Sequence, residues 1–251
     1  MSSFDGIANK FDKNIYGTSK GRLRHALLCH YLQGFVDSVD SINVVDLGGG
    51  TGVMSKVFAA SGHSVLLTDI SKDVLAIAKH RLSDYQNVDI KQQSIYESIS
   101  NGSLDNAGLV LCHAVLEWLP DPMRVVRALI ERAPINCHLS FSFFNHDANL
   151  FANALYGNFD YINKGLKVKN QVRLNPQNPV RPTEFLDILR AFSNVEIVHD
   201  AGLRCFHDYM FDREKVEERY QDILSMEKKF GASHPYKYLG KYYHCLIKKC
   251  A

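Results

Sequence analysis

From residue 42 to residue 144 the chain alternates between two apolar periods, and no other feature restricts its fold as much. Runs at 42–47, 63–68, 88–92, 107–112 and 137–144 are short and apolar, as strands are. Stretches at 53–60, 74–82 and 123–132 place their apolar residues at helical spacing. Continuous triplets such as Val65-Leu66-Leu67 and Leu109-Val110-Leu111 suit strands covered on both faces. Repeated strand–helix–strand units imply right-handed crossovers and hence a parallel α/β sheet. Such sheets bind ligands outside the carboxyl ends of their strands, where the strand order reverses. The candidate functional residues are therefore the ones that directly follow a strand.

The first of those places is the most specific. Val44-Val45-Asp46-Leu47 runs into Gly48-Gly49-Gly50-Thr51-Gly52, and Val53, Val57 and Phe58 then follow at helical spacing. Glycines accept positive φ and let a ligand lie against bare backbone. The helix start behind them offers unpaired N–H groups and a positive dipole end. A strand, a glycine turn and a helix in that order point to a nucleotide-type cofactor. Spacing narrows the choice. A dinucleotide turn needs Gly-x-Gly-x-x-Gly, but its third glycine falls on Val53 or Ser55, counted from Gly48 or Gly50. The pattern present, acid-x-Gly-x-Gly-x-Gly on Asp46, Gly48, Gly50 and Gly52, resembles the first motif of class I S-adenosylmethionine-dependent methyltransferases.

Later strand ends add to this. Asp69 closes the second strand, where a carboxylate can accept hydrogen bonds from both hydroxyls of a ribose; its plainer role is to cap the next helix. Gln93-Ser94-Ile95 follows the third strand, within reach of an adenine edge. His113 follows the fourth strand, where the first, second and fourth should converge on cofactor or substrate.

Composition sets outer limits. The 251 residues suffice for one α/β domain with an insertion, and 29 basic against 27 acidic residues leave a formal net charge of +2. Any basic surface must therefore be local. Six cysteines show no Cys-x-x-Cys spacing, so neither a zinc site nor a disulfide framework is expected, and no metal is invoked. With no apolar signal core and no membrane-length apolar run, the expectation is a soluble cytoplasmic protein without a membrane partner. The single domain divides into an N-terminal arm and helix (1–40), a cofactor-binding half (41–144), an inserted segment (145–182) and a C-terminal half (183–251).

In the arm, 17–21 reads as a loop and 22–39 as a helix, with Tyr16, Lys20, Arg22 and Arg24 grouped near the glycine turn. The insertion brings aromatics at Tyr156, Phe159 and Tyr161. It also brings Lys164, Lys167, Lys169, Arg173 and Arg181 with no acid between 161 and 183. Such interleaving suits a phosphate backbone and stacked bases, which makes these five the RNA-binding candidates. Further on, 184–192 reads as a helix, 195–199 as a strand, and 212–230 as a charged helix with a solvated face. The stretch 236–249 reads as an antiparallel edge strand closing the sheet.

Four segments narrow the class: Asn14-Ile15-Tyr16-Gly17-Thr18-Ser19-Lys20-Gly21-Arg22-Leu23-Arg24, His113-Ala114-Val115-Leu116-Glu117-Trp118, Gly157-Asn158-Phe159-Asp160-Tyr161 and Arg204-Cys205-Phe206-His207-Asp208-Tyr209. Together they resemble the bacterial tRNA 5-carboxymethoxyuridine methyltransferases, from the arm to the last strand. The resemblance implies a Rossmann-like class I methyltransferase fold: a seven-stranded, mostly parallel sheet with an antiparallel last strand, a helical arm, and an insertion after the fifth strand. It implies S-adenosyl-L-methionine as cofactor, with contacts at Arg24, Gly48, Gly49, Asp69, Ser94, Ile95 and His113. As substrate it implies the carboxylate of 5-carboxymethoxyuridine at the wobble position, in the anticodon region of tRNA. An unperturbed carboxylate titrates near about 4, so in-line displacement needs no general base. Donors must hold it, and Tyr16, Arg204 and His207 are the candidates. Two other readings stay open: a small-molecule methyltransferase of the same fold, and a non-catalytic cofactor- or RNA-binding module.

Overall fold

The computed structural model describes residues 6, 17–166, 176, 178–212 and 214–251. Seven strands form its sheet: β1 (Asn43–Leu47), β2 (Ser64–Asp69), β3 (Val88–Gln92), β4 (Leu109–His113), β5 (His138–Phe144), β6 (Val195–Leu203) and β7 (Tyr242–Lys249). Their order is β3-β2-β1-β4-β5-β7-β6. The pairs from β3 to β5 are parallel, and β7 runs antiparallel to both β5 and β6. The expected edge position of the last strand is thus corrected. β7 inserts between β5 and β6, and β6 is the edge, with an irregularity at Ile197/His199. An alternating apolar run specifies a strand but not which neighbours it pairs with.

Period-2 alternation sends successive strand residues to two separate cores. Val45, Leu47, Val110 and Cys112 pack with α6 (Pro122–Arg132) and α9 (Pro182–Arg190). Val44, Leu109 and Leu111 pack with α1 (Ser19–Tyr31) and α3 (Val53–Ala60). Helices α4 (Lys72–Arg81) and α5 (Ile95–Ser100) complete the crossovers. Local chemistry sets where these helices start. Ser71 accepts from Val74 N and caps α4, while Ser94 and Glu97 form a reciprocal capping box on α5. Asp121 caps α6 ahead of Pro122, whose missing N–H costs nothing in a first turn.

The arm helix begins earlier than its apolar spacing suggests, because the Thr18 side chain accepts from Gly21 N at 3.3 Å. It also breaks at Leu32, beyond which α2 (Gln33–Val36) continues. The insertion carries α7 (His146–Leu155) and α8 (Phe159–Asn163), and bridges back to the sheet through Asn145 and Val180. The charged stretch near 212–230 is two helices, α10 (Glu214–Glu218) and α11 (Tyr220–Phe230). Its inner face is not solvated, since Val216 and Ile223 join the core of α1.

Candidate active site

A cleft of about 490 Å³ opens over the carboxyl ends of β1, β2, β4 and β5, at the point where the strand order reverses. The glycine turn forms its floor. Gly48 has φ +63°, and a Cβ there would lie 2.6 Å from Val115 Cγ2. Gly49 has ordinary φ but would bring a Cβ within 2.7 Å of the Asp46 carboxyl. Positive φ recurs at Gly50 and Gly52, so conformation dictates glycine at three positions and close packing at the fourth. Asp46 is buried, accepts from Ser55 Oγ at 2.7 Å, and is pushed up to about 6 by burial. Asp69 lines the cleft at the end of β2. One of its oxygens accepts from Gly50 N at 3.2 Å and the other from Ser71 N at 2.9 Å. It therefore ties β2 to the glycine turn, and the cap of α4 falls to Ser71.

On the opposite wall, His113 Nε2 lies 2.8 Å from Ser140 Oγ, which lies 2.9 Å from His244 Nε2. One hydroxyl proton serves two rings, so one imidazole donates to the oxygen and the other accepts from it. Burial pushes His113 down to about 3 and His244 well below its ordinary range, so both rings stay neutral. Arg24 stands 4.8 Å over the Tyr242 ring, and both line the cleft. Glu117, in the turn after β4, is fully buried with neither carboxylate oxygen hydrogen-bonded. Burial pushes it up to about 7, against the pull of Arg24.

Arg204 reaches the cleft from the end of β6 with φ +66°. Its Nε and Nη2 donate to the two oxygens of Asp208, each at 2.7 Å, and that carboxyl is held well below its usual range despite its burial. His207 is 1% exposed, with Nδ1 3.2 Å from Asp208 and Nε2 3.1 Å from Ser19 Oγ. It is not among the side chains that line the cleft, and both of its ring nitrogens face partners within the protein. From α11, the buried Glu227 accepts from the backbone N–H groups of Cys205, Phe206 and His207 and anchors this loop.

Of the expected cofactor contacts, Arg24, Gly48, Gly49, Asp69, Ile95 and His113 line the cleft together. Ser94 is spent on its capping box, and the neighbouring Gln93 takes its place in the wall. Tyr16, Lys167, Lys169 and Arg173 lie outside the described residues. Lys164 is exposed in the turn after α8, and Arg181 is paired with Asp147 at 2.7 Å. Pro176 brings the insertion to the rim of the cleft. Sequence reasoning missed Ser140, Tyr242 and His244. Ser140 lies in mid-strand, and the other two lie on β7, whose reversed direction carries its first residues, not its last, to the ligand side. The bare Gly48–Gly49 backbone, the Asp69 carboxylate and the apolar walls of Leu28, Met54, Trp118 and Leu119 fit a nucleoside-bearing cofactor such as S-adenosylmethionine. Among the described residues no three His, Cys, Asp or Glu side chains gather as metal ligands, and no helix is long and apolar enough to cross a membrane.

The comparisons agree with this geometry. Residues 21–207 match the methyltransferase domain family, which defines the class. The tRNA 5-carboxymethoxyuridine methyltransferase of Escherichia coli K12 is 33% identical across 98% of this chain and 96% of its own length. This chain belongs to that family. A ubiquinone biosynthesis O-methyltransferase of Serratia proteamaculans is 27% identical over 74% of the chain. Magnesium protoporphyrin IX methyltransferase of Synechocystis, solved with bound SAH, shares the fold with a TM-score of 0.64 at 15% identity, covering 98% of this chain and 96% of that one.

Proposed function

We propose that the protein transfers the methyl group of S-adenosylmethionine to the carboxylate of 5-carboxymethoxyuridine at the wobble position of tRNA, giving the methyl ester. The observation that carries this reading is the extent of the likeness to the E. coli enzyme. The match to the methyltransferase domain family ends at residue 207, whereas that likeness covers 98% of the chain and so extends into the C-terminal region that holds β7. Tyr242 of that region lines the cleft, where a substrate would enter. A cytoplasmic location follows from a tRNA substrate.

When bound, S-adenosylmethionine supplies an electrophilic methyl group on a sulfonium. The chain's own residues do the rest by placement. Gly48 and Gly49 admit the cofactor to the backbone, Asp69 accepts from its ribose, and Arg24 supplies a cation for its carboxylate. Leu28, Met54, Trp118 and Phe144 exclude water from the reacting end. The substrate carboxylate arrives ionised, because it titrates near about 4. No base has to take its proton, and the neutral, hydrogen-bonded His113 is suited to contact rather than proton transfer. Holding reactants in line can by itself contribute several kcal/mol.

The test uses labelled S-adenosylmethionine and tRNA from a strain lacking the enzyme, followed by nucleoside analysis. A labelled methyl ester on 5-carboxymethoxyuridine is expected. Absence of any labelled nucleoside overturns the reading.

A further inference from the structure

The loop that leads into β7 is built to hold one lysine. Asn145, at the end of β5, donates from Nδ2 to the carbonyls of Tyr238 at 2.9 Å and Gly240 at 3.0 Å, and from its backbone N to the carbonyl of Lys241 at 3.1 Å. Tyr209 Oη donates to the Leu239 carbonyl at 2.8 Å, and Lys241 N donates to the Arg204 carbonyl at 3.3 Å. A Cβ on Gly240 would come within 2.5 Å of Gly202 Cα, so the loop is pressed backbone to backbone against β6.

The side chain held this way lacks a counter-ion. Lys241 Nζ lies 4.8 Å over the ring of Phe144, a cleft residue, and donates to the neutral Asn149 Oδ1 at 3.1 Å. Among the described residues no carboxylate lies within ion-pair distance of it. Asp208 attracts it, but both oxygens of Asp208 are already bound by Arg204. Arg204 and Lys20, both lining the cleft, repel it, and burial with that repulsion pushes the ammonium down to about 8. Lys241 thus stands beside Phe144 of the cleft, repelled by two cleft-lining cations and attracted by a carboxylate that Arg204 already holds. That arrangement costs free energy until an anion joins it.

We propose that Lys241, with Lys20 and Arg204 beside it, forms an oxyanion-binding site at the mouth of the cleft. Its ligand, given the tRNA reading above, is an oxyanion of the target nucleotide: either the uridine carboxylate or the phosphate that links the nucleotide to its neighbour. A lysine suits either, because it binds oxyanions as a compact point charge.

The experiment compares wild type, Lys241→Met and Lys241→Arg. Methionine keeps the apolar stem over Phe144, so SAH affinity and thermal stability should be close to wild type. Affinity is measured for tRNA carrying 5-carboxymethoxyuridine and for the same tRNA with unmodified uridine. A loss of about 10- to 100-fold in Lys241→Met, largely restored by arginine, is expected. Loss on modified tRNA alone identifies the carboxylate. Loss on both, with a shallower salt dependence, identifies the phosphate. Equal affinities of variant and wild type for both tRNAs overturn the site. The tRNA reading fails separately, if wild type esterifies no tRNA. In that event thermal-shift titration with inorganic phosphate still decides: stabilisation of wild type but not of Lys241→Met supports the site, and equal stabilisation or none in wild type overturns it.

Discussion

At the scale of single residues, the glycine turn and Glu117 contrast in how openly the sequence declares them. The turn is legible because backbone φ and steric clearance force a residue type. Gly48→Ala puts a side chain at φ +63° and 2.6 Å from Val115, so we expect a loss of about 1–3 kcal/mol in stability and no measurable SAH binding by calorimetry. Glu117, by contrast, reads as an ordinary acid, and only its complete burial reveals it. Its folded pKa is raised from 4.5 to about 7, so the folded state holds a proton that the unfolded state has released. The stabilisation this provides is present below about pH 4.5 and is lost as the pH rises through 7. Glu117→Gln does not titrate. Denaturant unfolding should therefore show the variant gaining on wild type between pH 5 and pH 8, by on the order of 1–3 kcal/mol. An unchanged difference between the two pH values would remove Glu117 from the account.

Elements show where local reading stops. Helix 22–39 was expected from apolar spacing, yet its start depends on the Thr18 cap and its break falls at Leu32. The segment 204–209 reads as a set of polar groups facing a ligand. In the fold those groups largely serve one another: Arg204 forks onto Asp208, and His207 joins Asp208 to Ser19. Arg204→Ala should accordingly cost about 3–5 kcal/mol in unfolding free energy, because it strips the buried Asp208 carboxylate of its bidentate guanidinium partner. Such a loss would obscure any direct effect on substrate. Arg204→Ala with wild-type stability would show that the pair is dispensable to the fold. The loop is secured from a third element as well, by Glu227 of α11, a helix whose charge alone suggested exposure.

For the whole molecule, the site is a product of topology. Strand order reverses between β1 and β4, and the cleft lies there. A ligand that fits this cleft and not the unfolded chain must stabilise it. SAH at a hundred times its dissociation constant should add about 2.7 kcal/mol, read as a rise in melting temperature, while NAD at the same concentration should add nothing. Stabilisation by NAD would contradict the glycine spacing. Residues 42–144 by themselves determined the alternating α/β architecture, the parallel half of the sheet and the cofactor end, since strand and helix periods and glycine sterics are local properties of the chain. Tertiary structure alone decided that β7 slots between β5 and β6. Pairing partners sit far apart in sequence, and packing of the two sheet faces selects among them. That placement reverses the rule for locating functional residues: on the antiparallel strand they lie at its start. Tyr242 consequently lines the cleft, His244 reaches His113 through Ser140, and Lys241 reaches the cleft residue Phe144, by contacts no sequence interval records.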